Sequence, residues 1–281
     1  MARSIPTDER ALVRPSVARK HFSFEQWVAD PPVDRFVARF WRTAWDLPKP
    51  FVQPLVTYPA VNLVIQSDGS AMVSGPQRSN SYREIGGSGW ALGALFRSGG
   101  FRPFTTQPMV EIADRLLPLE AIFGESSDEF VNAVVQAKND EARIGLFHAF
   151  LAERAPSTRT TGEDLSALIE QGAASTPPVT VVTEVAQWMG VSERTLQRAF
   201  REHVGLSPKA VLNRLRVQTA AAAVQTPIRS WAHTAHELGF ADQAHLTSTL
   251  TAAYGAPPAT FARLEGEHAR TKLKLDAAAK T

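Results

Sequence analysis

The 281-residue chain contains no cysteine. That excludes disulfide staples, thiolate nucleophiles and zinc fingers, and it fits a reducing compartment, with the cytoplasm expected. No apolar run approaches the roughly 20 residues that span a bilayer, and the opening MARSIPTDER holds no apolar signal core. Net charge is only +2, from 30 Lys and Arg against 28 Asp and Glu. A nucleic-acid partner therefore cannot be argued from the total, only from where the charge lies. The seven histidines form no HExxH motif. His233 and His236 stand one helical turn apart beside Glu237, a spacing better suited to an exposed helix surface than to metal ligation. GGSGW (86–90) misses the nucleophile elbow because Trp90 replaces its last glycine. The same glycines run into strand-like residues rather than a helix, so a dinucleotide fingerprint is unsupported. There is no phosphate-loop lysine motif. No catalytic residue, cofactor or metal is expected, and we read the chain as not an enzyme.

What is present is a globular composition, 44% hydrophobic and 21% charged, at a length that suits two domains. The most informative stretch is 192–204, SERTLQRAFREHV. On a helix, Leu196, Ala199, Phe200 and Val204 share one face. Arg194, Gln197, Arg198 and Arg201 share the opposite one, and Ser192 stands where an N-cap belongs. The preceding VVTEVAQWM (181–189) puts Val182, Val185, Ala186 and Met189 on one side, and Gly190 can end that helix in a left-handed turn. Helix, glycine turn and capped helix make a helix-turn-helix, whose second helix can enter a DNA major groove.

The pattern then recurs. Pro208 opens a helix running to about 225, roughly 27 Å long at 1.5 Å per residue. Its inner face carries Val211, Leu212, Leu215 and Ala222, and Pro227 ends it. IRSWAHTAHELGF (228–240) parallels the first scaffold helix, with Trp231, Ala235 and Leu238 inward. Asp242 can cap QAHLTSTLTAAYG (243–255), and GAPP (255–258) echoes GLSP (205–208). Two such units on one joining helix can set their recognition helices about 34 Å apart, one duplex turn.

The first half differs in kind. Residues 1–20 mix charge and proline without periodicity, which suggests a loose arm. Residues 22–47 are rich in aromatics, and part of FVARFWRTAW is expected to pair as a strand. VNLVIQ, SAMVSG and WALGALFR alternate with SDGS, SGPQ, GGSG and SGG turns. Short strands with glycine-rich turns predict a small antiparallel β barrel or sandwich over about 36–107, followed by helices over 109–153. The predicted fold is thus α+β in the first domain and all-α, double helix-turn-helix, in the second. The boundaries are 1–153, a polar linker at 154–162, and 163–270, with helix-turn-helix units at about 181–204 and 229–254 and a basic tail at 271–281.

Residues 179–263 resemble the DNA-binding domain of AraC-family bacterial transcription regulators. The stretches that carry the likeness are SERTLQRAFREHVGLSPKAVLNRLRVQTA (192–220) and ELGFADQAHLTSTLTAAYGAPPATFAR (237–263). Carried over by position, the resemblance implies base contacts from Arg194, Gln197 and Arg198. It leaves Arg201, Lys209, Arg214 and Arg216 to phosphates or structural pairs. The second unit departs from the pattern: Leu246, Thr247 and Ser248 stand where an aromatic, a polar residue and arginine are usual. Residues 192–216 hold six Arg or Lys against two Glu, whereas 229–255 hold only Arg229 against Glu237 and Asp242. Phosphate neutralisation drives most non-specific affinity. The first unit should therefore dominate binding, with the second adding Gln243, His245, Thr247 or Ser248, or only packing.

More weakly, VNLVIQ, the SGPQ turn, GALFRSGGFRPF (93–104) and ADRLLPLEAIFG (113–124) resemble a sensor-type domain found ahead of such DNA-binding domains. That resemblance implies a small-molecule effector or a partner. Arg97 and Arg102, flanking a glycine pair, could hold an effector anion. The partners that follow are double-stranded DNA, an effector, a second copy of the chain in a homodimer and, for an activator, RNA polymerase, with no membrane. Two rivals stay open: a ligand-binding protein with a helical protein-interaction module, and an enzyme built on the β-rich half.

Overall fold

The computed structural model describes residues 3–5, 8–175, 179, 181–223, 230–260 and 263. The expected basic tail, Pro227, Arg229 and the end of the joining helix at 224–225 lie outside the described residues. Strands β1 (Phe22–Trp27), β2 (Val37–Leu55), β3 (Asn62–Gln66), β4 (Ala71–Ser74), β5 (Ser81–Phe96) and β6 (Leu116–Pro118) form one antiparallel sheet in the order β1-β2-β5-β3-β4-β6. Two of these strands lie outside the span read as β-rich. β1 precedes it and pairs along β2 from Phe22↔Trp45 to Trp27↔Phe40. β6 is three residues long and ends in proline, too short to show a period of two.

Residues directly opposite one another in the register share a face of the sheet. Phe40, Leu92, Leu63, Ile65, Val73 and Leu117 fall on one face and pack beneath α4 (Ser126–Gln136) and α5 (Asp140–Arg154). Phe130 of α4 stacks on Phe150 of α5 at 4.0 Å and meets Phe147 edge-on at 5.1 Å. Three single-turn helices complete this half: α1 (Pro15–Ala18), α2 (Met109–Ile112) and α3 (Glu120–Phe123).

The N-terminal arm is not loose. Leu12 bridges Leu55, Ser4 bridges Trp27, and Leu12 and Ala18 are buried. Asp8 is the anchor. Its carboxylate accepts from Arg10 at 2.7 and 2.8 Å, Arg39 at 2.6 Å and Tyr58 at 2.8 Å. Burial opposes ionisation of Asp8, but the hydrogen bond from Arg10 and the charges of Arg39 and Arg10 outweigh it, and the carboxyl stays well below its usual range. These ties connect residues far apart in sequence, so no periodicity announces them.

The second half is all helix in its regular elements: α6 (Thr161–Ala174), α7 (Val182–Trp188), α8 (Glu193–His203), α9 (Pro208–Ala223), α10 (Trp231–Glu237) and α11 (Gln243–Tyr254). α6 opens with a capping box between Thr160 and Glu163. α9 enters two cores. Val211 and Leu212 pack with α6, α7 and α8, and Ala220 and Ala221 pack with α10 and α11. Each core also takes in a buried residue of the first half, Ala113 and Val56 respectively, and Val13 of the arm packs against the second.

The halves dock backbone to backbone at Gly205, just after α8. Its φ is +84°, and a Cβ there would stand 2.5 Å from the Met109 carbonyl oxygen of α2. Gly205→Ala should therefore cost about 1–3 kcal/mol, read as a lower urea midpoint. The depressed Asp8 ionisation contributes stability that is full above the unfolded pKa, roughly 4, and is lost as pH falls through the folded value. Asp8→Asn should accordingly lower the midpoint at neutral pH and flatten its fall below about pH 4.

Candidate nucleic-acid interface

α7 and α8 share one apolar core. Val185 and Ala186 of α7 are buried against Leu196, Phe200 and Val204, which are 0%, 1% and 2% exposed. Gly190 makes the turn at φ 63°. The Ser192 hydroxyl accepts from the Thr195 backbone N–H at 3.2 Å and caps α8. With that edge inside, the other edge faces solvent: Arg194, Gln197, Arg198 and Arg201 are all exposed. The basic residue Arg201 in the last turn also suits the negative end of the helix dipole. Lys209, in the first turn of α9, is exposed as well.

The second unit repeats the construction. Ser230 accepts from the His233 N–H at 3.3 Å and caps α10, Gly239 turns at φ 71°, and Asp242 accepts from the His245 N–H at 2.7 Å and caps α11. Leu246, Leu250 and Tyr254 are buried. Gln243 and Ser248 are exposed, and His245 and Thr247 half-buried. The His245 ring meets Phe240 edge-on at 5.3 Å, and Ser248 donates back to the His245 carbonyl at 3.1 Å. This surface is less basic and more occupied with itself than that of α8. His233 lies 3.3 Å from Glu237 on the exposed side of α10, and His236 is exposed as well.

Four other arginines singled out in the sequence are committed within the protein. Arg214 donates to Asn80 Oδ1 at 2.7 Å and to the Arg78 carbonyl at 2.8 Å, both on the β4–β5 connection. Arg216 donates to the Gly239 carbonyl at 3.1 Å and lies 4.7 Å over the Phe240 ring, tying α9 to the second turn. Both make structural pairs within the protein. Arg97 and Arg102, expected to hold an effector anion, are instead taken by carboxylates of the second half. Arg97 pairs with Glu170 of α6, and Arg102 with Glu202 of α8 at 2.7 Å. The reason is the docking of their turn. A Cβ on Gly99 would stand 2.8 Å from the Gly162 carbonyl oxygen, so the turn abuts α6. Glu202 and Asn80, which these contacts bring into view, carried no signal in their sequence surroundings.

Residues 185–264 match a family described as a helix-turn-helix domain. The HTH-type transcriptional activator RhaS of Escherichia fergusonii is 35% identical over 74 residues, 26% of this chain and 27% of that protein. Its namesake from Pectobacterium atrosepticum is 32% identical over 82 residues, 27% and 29% of the two chains. The C-terminal segment is thus similar to a helix-turn-helix domain and to part of two HTH-type transcriptional activators. That domain is the matched part: the chain spans little more than a quarter of the length of these relatives. Ahead of it, residues 25–118 match a domain of unknown function (DUF6597). A solved AraC-type transcriptional regulator from Chromobacterium violaceum is 22% identical at a TM-score of 0.32, over 35% of this chain and 88% of that one. ToxT from Vibrio cholerae is 11% identical at 0.42, over 80% and 97%.

Within the helix-turn-helix domain, Arg214 should act on stability rather than on a ligand. Arg214→Ala should cost about 1–3 kcal/mol in chemical denaturation through two lost charge-assisted hydrogen bonds. It should leave the salt dependence of any duplex affinity unchanged.

Proposed function

We propose that the protein is a sequence-specific DNA-binding transcription regulator of the cytoplasm. One observation carries this reading. Arg194, Gln197, Arg198 and Arg201 lie together in solvent on a capped helix whose opposite edge is buried at Leu196, Phe200 and Val204. A rigid rod that presents guanidinium and amide groups fits a major groove, where arginine bonds guanine and glutamine bonds adenine. Arg194, Gln197 and Arg198 read bases, and Arg201 and Lys209 hold phosphates. The second unit adds Gln243, His245, Thr247 and Ser248 at lower charge density, so the first unit sets most of the affinity. The likeness of the C-terminal segment to two relatives named HTH-type transcriptional activators supports the same reading.

The first half, 1–153, is the regulatory part, joined to the DNA-binding part through 154–162 and bound by a small-molecule effector rather than serving as an enzyme. A homodimer, and RNA polymerase in the case of an activator, are the further partners. No helix among the described residues is long and apolar enough to cross a membrane.

The test is selection of bound duplexes from a random pool, followed by titration of the winning site. Arg198→Ala should relax selection at one base position and cost about 1–3 kcal/mol there. Arg201→Ala should weaken all duplexes alike and reduce the slope of log affinity against log salt by about 0.9. Unchanged selection in Arg198→Ala sinks the base-reading role.

A further inference from the structure

A cleft of about 310 Å³ opens between α5 and the segment that leads from β1 into β2. That is the size at which small-molecule pockets begin, about 300 Å³. Glu141, Ile144, Gly145 and His148 line it from α5, at i, i+3, i+4 and i+7 of one helical stripe. Val28, Phe40 and Ile144 supply its apolar wall, with Phe40 and Ile144 buried and Val28 half-buried. Gly145 is the odd member of the stripe. Glycine inside a helix is unfavourable relative to alanine, and a Cβ there would meet nothing within 4 Å. No neighbour demands glycine at this position. Its missing side chain leaves the middle of the cleft open.

The two ends of the cleft differ from its middle. Glu141 and His148 stand two helical turns apart, about 10 Å along the axis. His148 Nε2 lies 3.1 Å from the Asp30 carbonyl oxygen, which sets Asp30 at the His148 end. A carbonyl can only accept, so Nε2 carries the proton, and Nδ1 of the neutral ring is left as an acceptor. The carboxylates of Asp30 and Glu141 have no partner among the described residues, and no lysine or arginine lines the cleft. Among the described residues no group of three His, Asp or Glu side chains is placed to hold a metal ion. The cleft therefore offers an acid at each end and an apolar middle.

We infer that this cleft binds an aliphatic diamine, one ammonium at Asp30 and His148, the other at Glu141, and the methylene chain against Phe40 and Ile144 over Gly145. The inference rests on the effector reading of the first half and supplies its site. An anion would meet two carboxylates, and a single ammonium would leave one of them unmet. The site is also tied to the connection between the halves. The Asp30 carbonyl accepts from the Val33 and Asp34 N–H groups at 3.0 and 3.1 Å as well as meeting His148. One residue on, Arg35 donates to Glu163 of α6 at 2.8 and 2.9 Å and to the Pro156 and Thr158 carbonyls at 3.0 and 2.8 Å. A ligand that pulls on Asp30 thus pulls on the segment that holds α6.

The test titrates cadaverine, the five-carbon diamine, into the full-length protein by calorimetry. Saturable one-to-one binding that weakens as salt rises is expected. Pentylamine, with one ammonium, should bind about fivefold more weakly, and glutarate, the matching dianion, should not bind. Glu141→Gln and Asp30→Asn should each weaken cadaverine about threefold to fivefold. Gly145→Leu fills the middle of the cleft. It should abolish binding yet raise the thermal midpoint, because leucine is the better helix former and nothing stands within 4 Å of its Cβ. Glu184→Gln, which changes an exposed carboxylate on α7, should leave binding unaltered. Absence of saturable binding, equal affinity for pentylamine, or unchanged affinity in Glu141→Gln and Gly145→Leu overturns the site. Affinity for the selected duplex is then measured with and without cadaverine in the native and Gly145→Leu proteins, so that the diamine's own attraction to DNA cancels. Cadaverine binding that depends on Glu141 and Gly145 but leaves the two proteins alike toward duplex upholds the site and removes the effector role.

Discussion

The burial of three side chains, Leu196, Phe200 and Val204, is the constraint on which the DNA-facing surface depends. Together they are worth on the order of 5–8 kcal/mol as area removed from water, and they can be buried only if the edge of α8 that carries them faces α6, α7 and α9. Helical geometry then leaves the arginines no choice of direction. Their exposure follows from where the apolar residues went and owes nothing to attraction among themselves. The Ser192 cap and the Gly190 turn set where the helix begins and how it leaves α7, so the rod is fixed at its start as well as along its side.

α9 extends that constraint to the second unit. At 16 residues it is about 24 Å long. Its first half packs into the core of one unit, and its small alanines let α10 and α11 approach closely at the other end. The β-sheet half touches the frame at both ends. Arg102 holds Glu202 of α8, Gly205 sits against α2, and Asn80 both accepts from Arg214 and donates to the Ala253 carbonyl at 2.8 Å. The Tyr254 hydroxyl donates to the Arg10 carbonyl of the arm at 2.8 Å. The second half is thus positioned from its own two cores and from the sheet as well. A change on the sheet side has direct mechanical contacts through which to reach either unit.

The helix-turn-helix domain was legible because its determinants are local. A cap, a glycine with positive φ and apolar residues at three-to-four spacing all fall within about 25 residues, and each acts at the scale at which a helix is specified. Of the long strands β2 and β5 only the parts in FVARFWRTAW and WALGALFR were legible, and the GGSG read as a turn lies inside β5, where it pairs with β2. The docked arm was not: Asp8 meets Arg39 and Tyr58 from distant segments, and a stretch with mixed charge and proline looks the same whether docked or free. Nor did the three-residue β6 offer enough length for a pattern. Arg97 and Arg102 looked like anion ligands because a glycine pair and two guanidinium groups do suit one. Nothing nearby in sequence reports that Glu170 and Glu202 have taken them.

The order of residues alone determined that the first half is rich in strands and the second in helices, where the helices of the two units start and turn, and that Arg194, Gln197, Arg198 and Arg201 share a stripe. Those outcomes rest on backbone propensity and side-chain period, which act between near neighbours. Tertiary structure decided which arginines remain in solvent and which become struts, that the arm is pinned, and that the Asp30 carbonyl meets His148. Each of these is set by a partner tens of residues away, whose arrival depends on the packing of the whole chain.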